Sequence, residues 1–185
     1  MKIKKFNKKF DVETCNRWID AAYENIISEI KKLIDDGFPV DYEDGWTALI
    51  WASKNGNLEM IDILMKAGAD VDHQNYNGYS ALMKAAGWGN LESVKYLIEK
   101  YNANIDLKNI KYEYSSTSLI LAARNNHLDI VKYLLKKGAN YKHSYPDFYD
   151  VSIEHSPKVK EWIEENMPEY IEERLIKSRA SKFGL

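Results

Sequence analysis

Residues 44–76 read DGWTALIWASKNGNLEMIDILMKAGADVDHQNY, and the two segments that follow repeat their grammar. Residues 77–110 read NGYSALMKAAGWGNLESVKYLIEKYNANIDLKNI, and residues 111–144 read KYEYSSTSLILAARNNHLDIVKYLLKKGANYKHS. Equivalent leucines fall at Leu49, Leu82 and Leu119, spacings of 33 and then 37 residues. The four extra residues divide into one near Tyr101 and three in the loop before Thr117, so the underlying period is 33. A fixed period of that length marks an array of stacked supersecondary units.

Each unit spells a helical hairpin followed by a loop. Thr47, Ser80 and Thr117 precede a small-residue helix, where a hydroxyl accepts from an orphan backbone N–H. Ala52, then Ala85 and Ala86, then Ala122 and Ala123 follow one turn later and let a second helix come close. Gly56, Gly89 and Asn126 end the first helix, and Gly68, Asn102 and Gly138 the second, Gly or Asn being the residues that tolerate a left-handed cap. Between those caps runs an apolar stripe, Leu58, Ile61, Leu64, Met65, repeated as Leu91, Val94, Leu97, Ile98 and as Leu128, Val131, Leu134, Leu135. That spacing is one helical face.

The same register continues weakly on both sides. Placing Gly37 on Gly68 puts Ala21 on Ala52, Asn25 on Gly56, Ile30 on Ile61 and Leu33 on Leu64. Downstream, Val159, Trp162 and Ile163 occupy the second-helix stripe of a degenerate fifth unit.

The opening D-G-x-T-x-L-x-x-A-x-x-x-G of residues 44–56 and the ending L-L/M-x-x-G-A-D/N that closes on Asp70 and Asn140 resemble the ankyrin-repeat family. The resemblance implies an all-α fold, an ankyrin-repeat solenoid of stacked helix-turn-helix units with projecting loops or β-hairpins. It divides the chain into a basic, flexible start (1–10), a repeat domain (11–167) and a C-terminal helix or tail (168–185). Within the repeat domain the units are 11–43, 44–76, 77–110, 111–144 and the degenerate 145–167. The family usually carries Pro after the capping Thr and His two residues later; here those positions hold Ala48, Ala81, Ser118 and Ile50, Met83, Ile120. Apolar packing is therefore expected where the family has a polar network. Ser115 stands where the loop Gly usually lies, so another turn geometry is expected there. Tyr170, Ile171, Leu175 and Ile176 are expected to fold a last helix back over the final unit.

Composition narrows the function classes. With 45% hydrophobic and 29% charged residues and a net charge of −2, the chain reads as one folded domain and not as a dedicated nucleic-acid binder. No apolar run reaches the roughly 18–20 residues that span a bilayer. The first ten residues hold five lysines with no apolar stretch behind them, unlike a secretory signal. A single cysteine, Cys15, fits a reducing, intracellular setting, cytoplasm or nucleus.

Catalysis and metal binding need converging polar groups, and the sequence offers few. His73, His127, His143 and His155 lie in different units and no pair has the i, i+4 spacing of a helical metal site. Gly87, Trp88 and Gly89 sit at a helix end and read as packing and cap, not as a phosphate loop. The expectation is a protein that is not an enzyme and takes no metal or cofactor.

The resemblance implies a recognition surface on the concave face of loop tips and first helices. Here the loop tips offer Trp46, Tyr76, Tyr79, Tyr112 and Tyr114, and the first helices offer Trp51, Lys54, Lys84, Trp88 and Arg124. Asp20, Tyr23 and Glu24 are the matching first-helix positions of the opening unit. Large aromatics concentrate binding energy, about 2 kcal/mol or more for an anchor. They also stack on one another and stiffen an array, and both readings stand for these rings. The expected function is a monomeric protein-binding module, adaptor or occluding inhibitor, whose partner is a protein, of a host or rival cell as for relatives of this kind. Alternatives are nucleic-acid or small-ligand stacking in the groove, or a self-associating scaffold.

Overall fold

A computed structural model describes residues 10–109, 111, 116–141 and 156–183. Helices come in pairs: α1 (Val12–Glu24) with α2 (Ile27–Asp35), α3 (Ala48–Asn55) with α4 (Leu58–Lys66), and α5 (Ala81–Gly87) with α6 (Leu91–Tyr101). Next come α7 (Ser118–Arg124) with α8 (Leu128–Lys136), then α9 (Pro157–Asn166) and α10 (Pro168–Phe183). Before α3 lies a two-residue hairpin, β1 (Glu43–Asp44) and β2 (Trp46–Thr47), antiparallel with Glu43 opposite Thr47. The first helices stack in the order α1, α3, α5, α7, and α4, α6, α8 and α9 stack as a second layer. The architecture is an all-α solenoid.

Local chemistry sets the boundaries. Thr47, Ser80 and Thr117 accept from the backbone N–H of Ile50, Met83 and Ile120 at 3.2, 3.3 and 3.4 Å. The first helices end on left-handed residues at Asn25 (φ 62°), Gly56 (77°), Gly89 (81°) and Asn126 (61°). Asn repeats what Gly does at this cap because its short polar side chain tolerates that conformation. At Gly89 a second constraint operates: an added Cβ would lie 2.6 Å from the His127 ring, so only Gly fits beneath that imidazole.

The core lies between the layers. Ala52, Ala85, Ala86, Ala122 and Ala123 are buried, as are Ile61, Leu64, Val94, Leu97, Val131 and Leu134. Ile50, Met83 and Ile120 are fully buried, so the positions where the family has His hold apolar packing. Each such side chain contributes about 1.5–3 kcal/mol on leaving water. The opening end is closed by an aromatic set: Phe38 stacks on Trp18 at 4.9 Å and meets Phe10 and Tyr42 edge-on at 5.0 and 5.2 Å. At the other end Val159 and Ile163 are buried and Trp162 packs against the core.

The last helix departs from expectation. Tyr170 is buried edge-on against Tyr141 and Ile171 packs on the core, but Leu175 and Ile176 are 49% and 60% exposed. Among the side chains described in α10, Tyr170 and Ile171 of its first turn meet the array and Leu175 and Ile176 face water. Ser115 and the expected boundary regions 1–9 and 142–155 lie outside the described residues.

Loops carry a second, polar bond set between units. Asp41, Asp72 and Asp106 accept from the backbone N–H of Asp70, Asn104 and Asn140 at 3.1, 2.9 and 2.8 Å. Buried Asn75 donates to Gly45 O at 2.6 Å, and buried Asn109 donates to Asn77 O at 2.9 Å. Buried amides satisfied in this way hold neighbouring loops at fixed spacing.

Candidate functional site

The first-helix layer brings six of the ten expected partner-binding side chains together. Trp46 comes from β2, Trp51 and Lys54 from α3, Tyr79 from the turn before α5, Lys84 from α5, and Trp88 caps that helix. The indoles of Trp46 and Trp51 stack at 4.3 Å, and Tyr23 of α1 meets Trp51 edge-on at 4.9 Å. Both tryptophans are half-buried. Trp88, by contrast, is 59% exposed.

Two ammonium groups knit the rings. Lys54 Nζ lies 4.2 Å from the Trp88 ring centre, 4.8 Å from Trp51 and 5.6 Å from Trp46. Lys84 Nζ lies 3.4 Å from the Tyr79 ring centre and 4.9 Å from Trp46. Each cation–π contact contributes about 0.5–2 kcal/mol. Burial draws the Lys84 ammonium below the ordinary lysine pKa, and the charge of Lys54 adds to the effect. Among the described residues neither lysine has a carboxylate within ion-pair distance, whereas Lys100 and Lys137 do.

The remaining expected residues lie apart. Tyr76 stands 61% exposed on a loop tip, its hydroxyl over Gly45. Arg124 ends α7 without joining the ring contacts. Tyr112 and Tyr114 lie outside the described residues. A shallow groove of about 310 Å³ opens elsewhere, lined by Gly89, Leu91, His127 and Lys158, and holds none of the ten.

The histidines have structural partners. His127 Nε2 lies 3.2 Å from Gly87 O, whose oxygen also accepts from Asn125 at 2.8 Å. His73 Nε2 lies 3.2 Å from Glu43 Oε2. No three His, Cys, Asp or Glu side chains cluster as a metal site needs, among the described residues.

Sequence reading missed the polar order of the second-helix layer. Asp62 Oδ1 of α4 accepts from Lys100 at 2.6 Å, from Tyr96 at 2.7 Å and from Tyr101, all of α6. The Lys100 and Tyr101 bonds, then Tyr96, hold its carboxyl well below the usual carboxylate range. Burial, then the bond to Asp62, pushes the Tyr101 phenol up to about 12. One unit on, Glu99 accepts from Lys137 at 2.9 Å and from Tyr133 at 3.0 Å. The recurrence of Tyr-x-x-x-Lys at Tyr96 and Lys100 and again at Tyr133 and Lys137 is the signal that could have found it.

Residues 18–109 match the family model described as ankyrin repeats, in three copies, and residues 115–144 match that of a single ankyrin repeat. An ankyrin repeat protein of Rickettsia felis is 31% identical over 122 residues, 65% of this chain and 41% of that protein. The ankyrin repeat and KH domain-containing protein of Caenorhabditis elegans is 32% identical over 135 residues, 70% of this chain and 5% of its own length. The B-cell lymphoma 3 protein homolog of Mus musculus is 37% identical over 93 residues, 50% of this chain and 20% of its own length. The chain thus spans less than half the length of each of these relatives.

Proposed function

Because the chain belongs to the ankyrin-repeat family, whose repeats are in general protein–protein interaction modules, we propose that it holds one protein partner on the concave face formed by its first helices. In this reading residues 11–167 form the array, the chain performs no chemistry of its own, and it acts by tethering its partner or by covering the partner's surface. An intracellular setting belongs to the same proposal, supported by buried Cys15 with its free thiol. No described helix is long and apolar enough to cross a membrane.

One observation carries the reading. Trp88 is a large aromatic left open to water on the same face as a stacked indole pair and two lysines that meet no carboxylate among the described residues. An exposed indole surrounded by half-buried rings is the composition of an interface anchor with its water-excluding rim. Base stacking in nucleic acid would use the same rings, and the binding assay separates the two.

The test is affinity capture from the native source with tagged wild type beside Trp51→Ala and Trp88→Ala, read by mass spectrometry. The expected result is a protein retained by wild type and lost from both variants, with nuclease treatment leaving capture unchanged. Undiminished capture by both variants overturns the assignment of this face.

A further inference from the structure

Charge is divided unevenly along the first-helix face. At one end α1 presents Asp20 and Glu24, both exposed. One and two hairpins further on, α3 and α5 present Lys54 and Lys84, and α7 adds Arg124. Among the described residues the ion pairs gather elsewhere, on Asp62, Glu99 and the helix surfaces, and none includes these groups.

Lys54 and Lys84 share the Trp46 ring, at 5.6 and 4.9 Å from its centre, so two like charges sit side by side against apolar walls. Poor solvation strengthens their repulsion and strengthens equally their attraction for a carboxylate reaching them from the open side. The rings meanwhile offer area to an apolar neighbour of that carboxylate. A uniformly anionic chain such as nucleic acid would gain at this end and be repelled by Asp20 and Glu24 at the other. A peptide carrying both signs meets both ends favourably.

Resting on the reading that this face takes a protein partner, we propose that its occupant is a bipolar peptide segment. An Asp or Glu seats between Lys54 and Lys84, an apolar neighbour covers Trp88, and a Lys or Arg lies against Asp20 and Glu24. Packed helices stand about 8–10 Å apart, so the acidic and basic sites are about one to two such steps, roughly 10–20 Å, apart. An extended chain covers about 3.3 Å per residue. The two charged residues of the segment are therefore about three to six positions apart, with the basic one toward the N-terminal end of the array.

The probe is a random dodecapeptide library displayed on phage, selected on the full chain. Selected peptides are then titrated against wild type, Lys54→Gln/Lys84→Gln, Trp51→Ala/Trp88→Ala, and the inverted variant Asp20→Lys/Glu24→Lys/Lys54→Glu/Lys84→Glu. Circular dichroism melts accompany each variant, and the neutral Gln pair serves if the inverted one fails to fold. The expected result is peptides with an acidic and a basic residue at that separation, binding tenfold or more weakly to the Gln variant, and selection of opposite polarity on the inverted one. Peptides that need Trp51 and Trp88 but carry no acidic residue, or ignore the Gln substitutions, overturn the bipolar segment and leave the face assigned. Peptides indifferent to every variant overturn both. An empty selection, with or without salt-steep binding of a 20-nucleotide oligothymidylate, also overturns it.

Discussion

The two helical layers use the same residue types to opposite ends. On the second-helix layer, lysines and tyrosines converge on a carboxylate: Tyr96, Lys100 and Tyr101 on Asp62, Tyr133 and Lys137 on Glu99. On the first-helix layer, Lys54 and Lys84 rest on aromatic rings and meet no carboxylate among the described residues. Among the described residues the second-helix layer is electrostatically closed within the chain, while the first-helix layer is left with two cations and an open indole. Placing the deficit on one side is what gives a repetitive scaffold a direction.

The comparison can be broken most severely from beneath, through a fully buried side chain of the first-helix layer. Met83 is fully buried in α5, and Met83→Ala should lower unfolding free energy by about 2–5 kcal/mol in urea denaturation. Because neighbouring units share their interfaces, both layers should melt together.

Asp62→Asn comes next and touches one layer only. Removing the charge from a carboxylate with three donors should cost about 1–2 kcal/mol. It should also flatten the acid limb. The Asp62 carboxyl is depressed in the folded chain, so its stabilisation is complete above the ordinary carboxylate pKa and is lost as pH falls from about 5 downward. Melts at pH 3 and pH 7 should therefore differ less in Asp62→Asn than in wild type, and partner capture at pH 7 should be unchanged.

The sharper contrast is Lys84→Met, where the sign reverses. Burial lowers the Lys84 pKa, so the folded chain binds this proton less well than the unfolded chain. Wild-type stability should rise with pH toward the ordinary lysine pKa through this group, and Lys84→Met should remove that rise. At pH 7 the substitution should leave stability level or raise it by a few tenths of a kcal/mol, while weakening partner capture. A loss above about 1 kcal/mol would show that the ring contacts of Lys84 outweigh its burial. Last, Trp88→Ala should lower stability in urea denaturation by only about 0.5 kcal/mol, the low end for its contact with Lys54, since its ring is mostly in water.

These residues also show where the sequence was readable. Asn25, Asn102 and Asn126 stand where Gly stands in sister units, and all three adopt positive φ. Thr47, Ser80 and Thr117 cap as expected because a cap bond reaches only three residues along the chain. The apolar stripes were legible for the same reason, being fixed by helix geometry alone. Contacts between units were harder. Asp62 lies 34 to 39 residues from its three donors, and Asn75 lies 30 from Gly45, so neither partnership is visible within one repeat. Among the candidate site residues, sequence put Trp46, Trp51, Lys54, Tyr79, Lys84 and Trp88 on one side. It could not say that Trp46 and Trp51 lean on each other while Trp88 stays open, because ring orientation depends on side-chain torsions that periodicity does not encode. The exposed flank of α10 was misjudged since apolar letters at helical spacing do not reveal where the neighbouring surface ends.

The carboxylate-to-amide bonds of the loops reach forward by one module each time, from Asp41 to Asp70, Asp72 to Asn104 and Asp106 to Asn140. Each of these three joints thus presents the same plug and the same socket. A gene that duplicated or excised one whole module would rejoin at matching fittings, with Asp72 able to meet Asn140 as it now meets Asn104. Array length is in that sense an adjustable quantity, while the patch around Lys54 and Lys84, spread over two particular modules, is not.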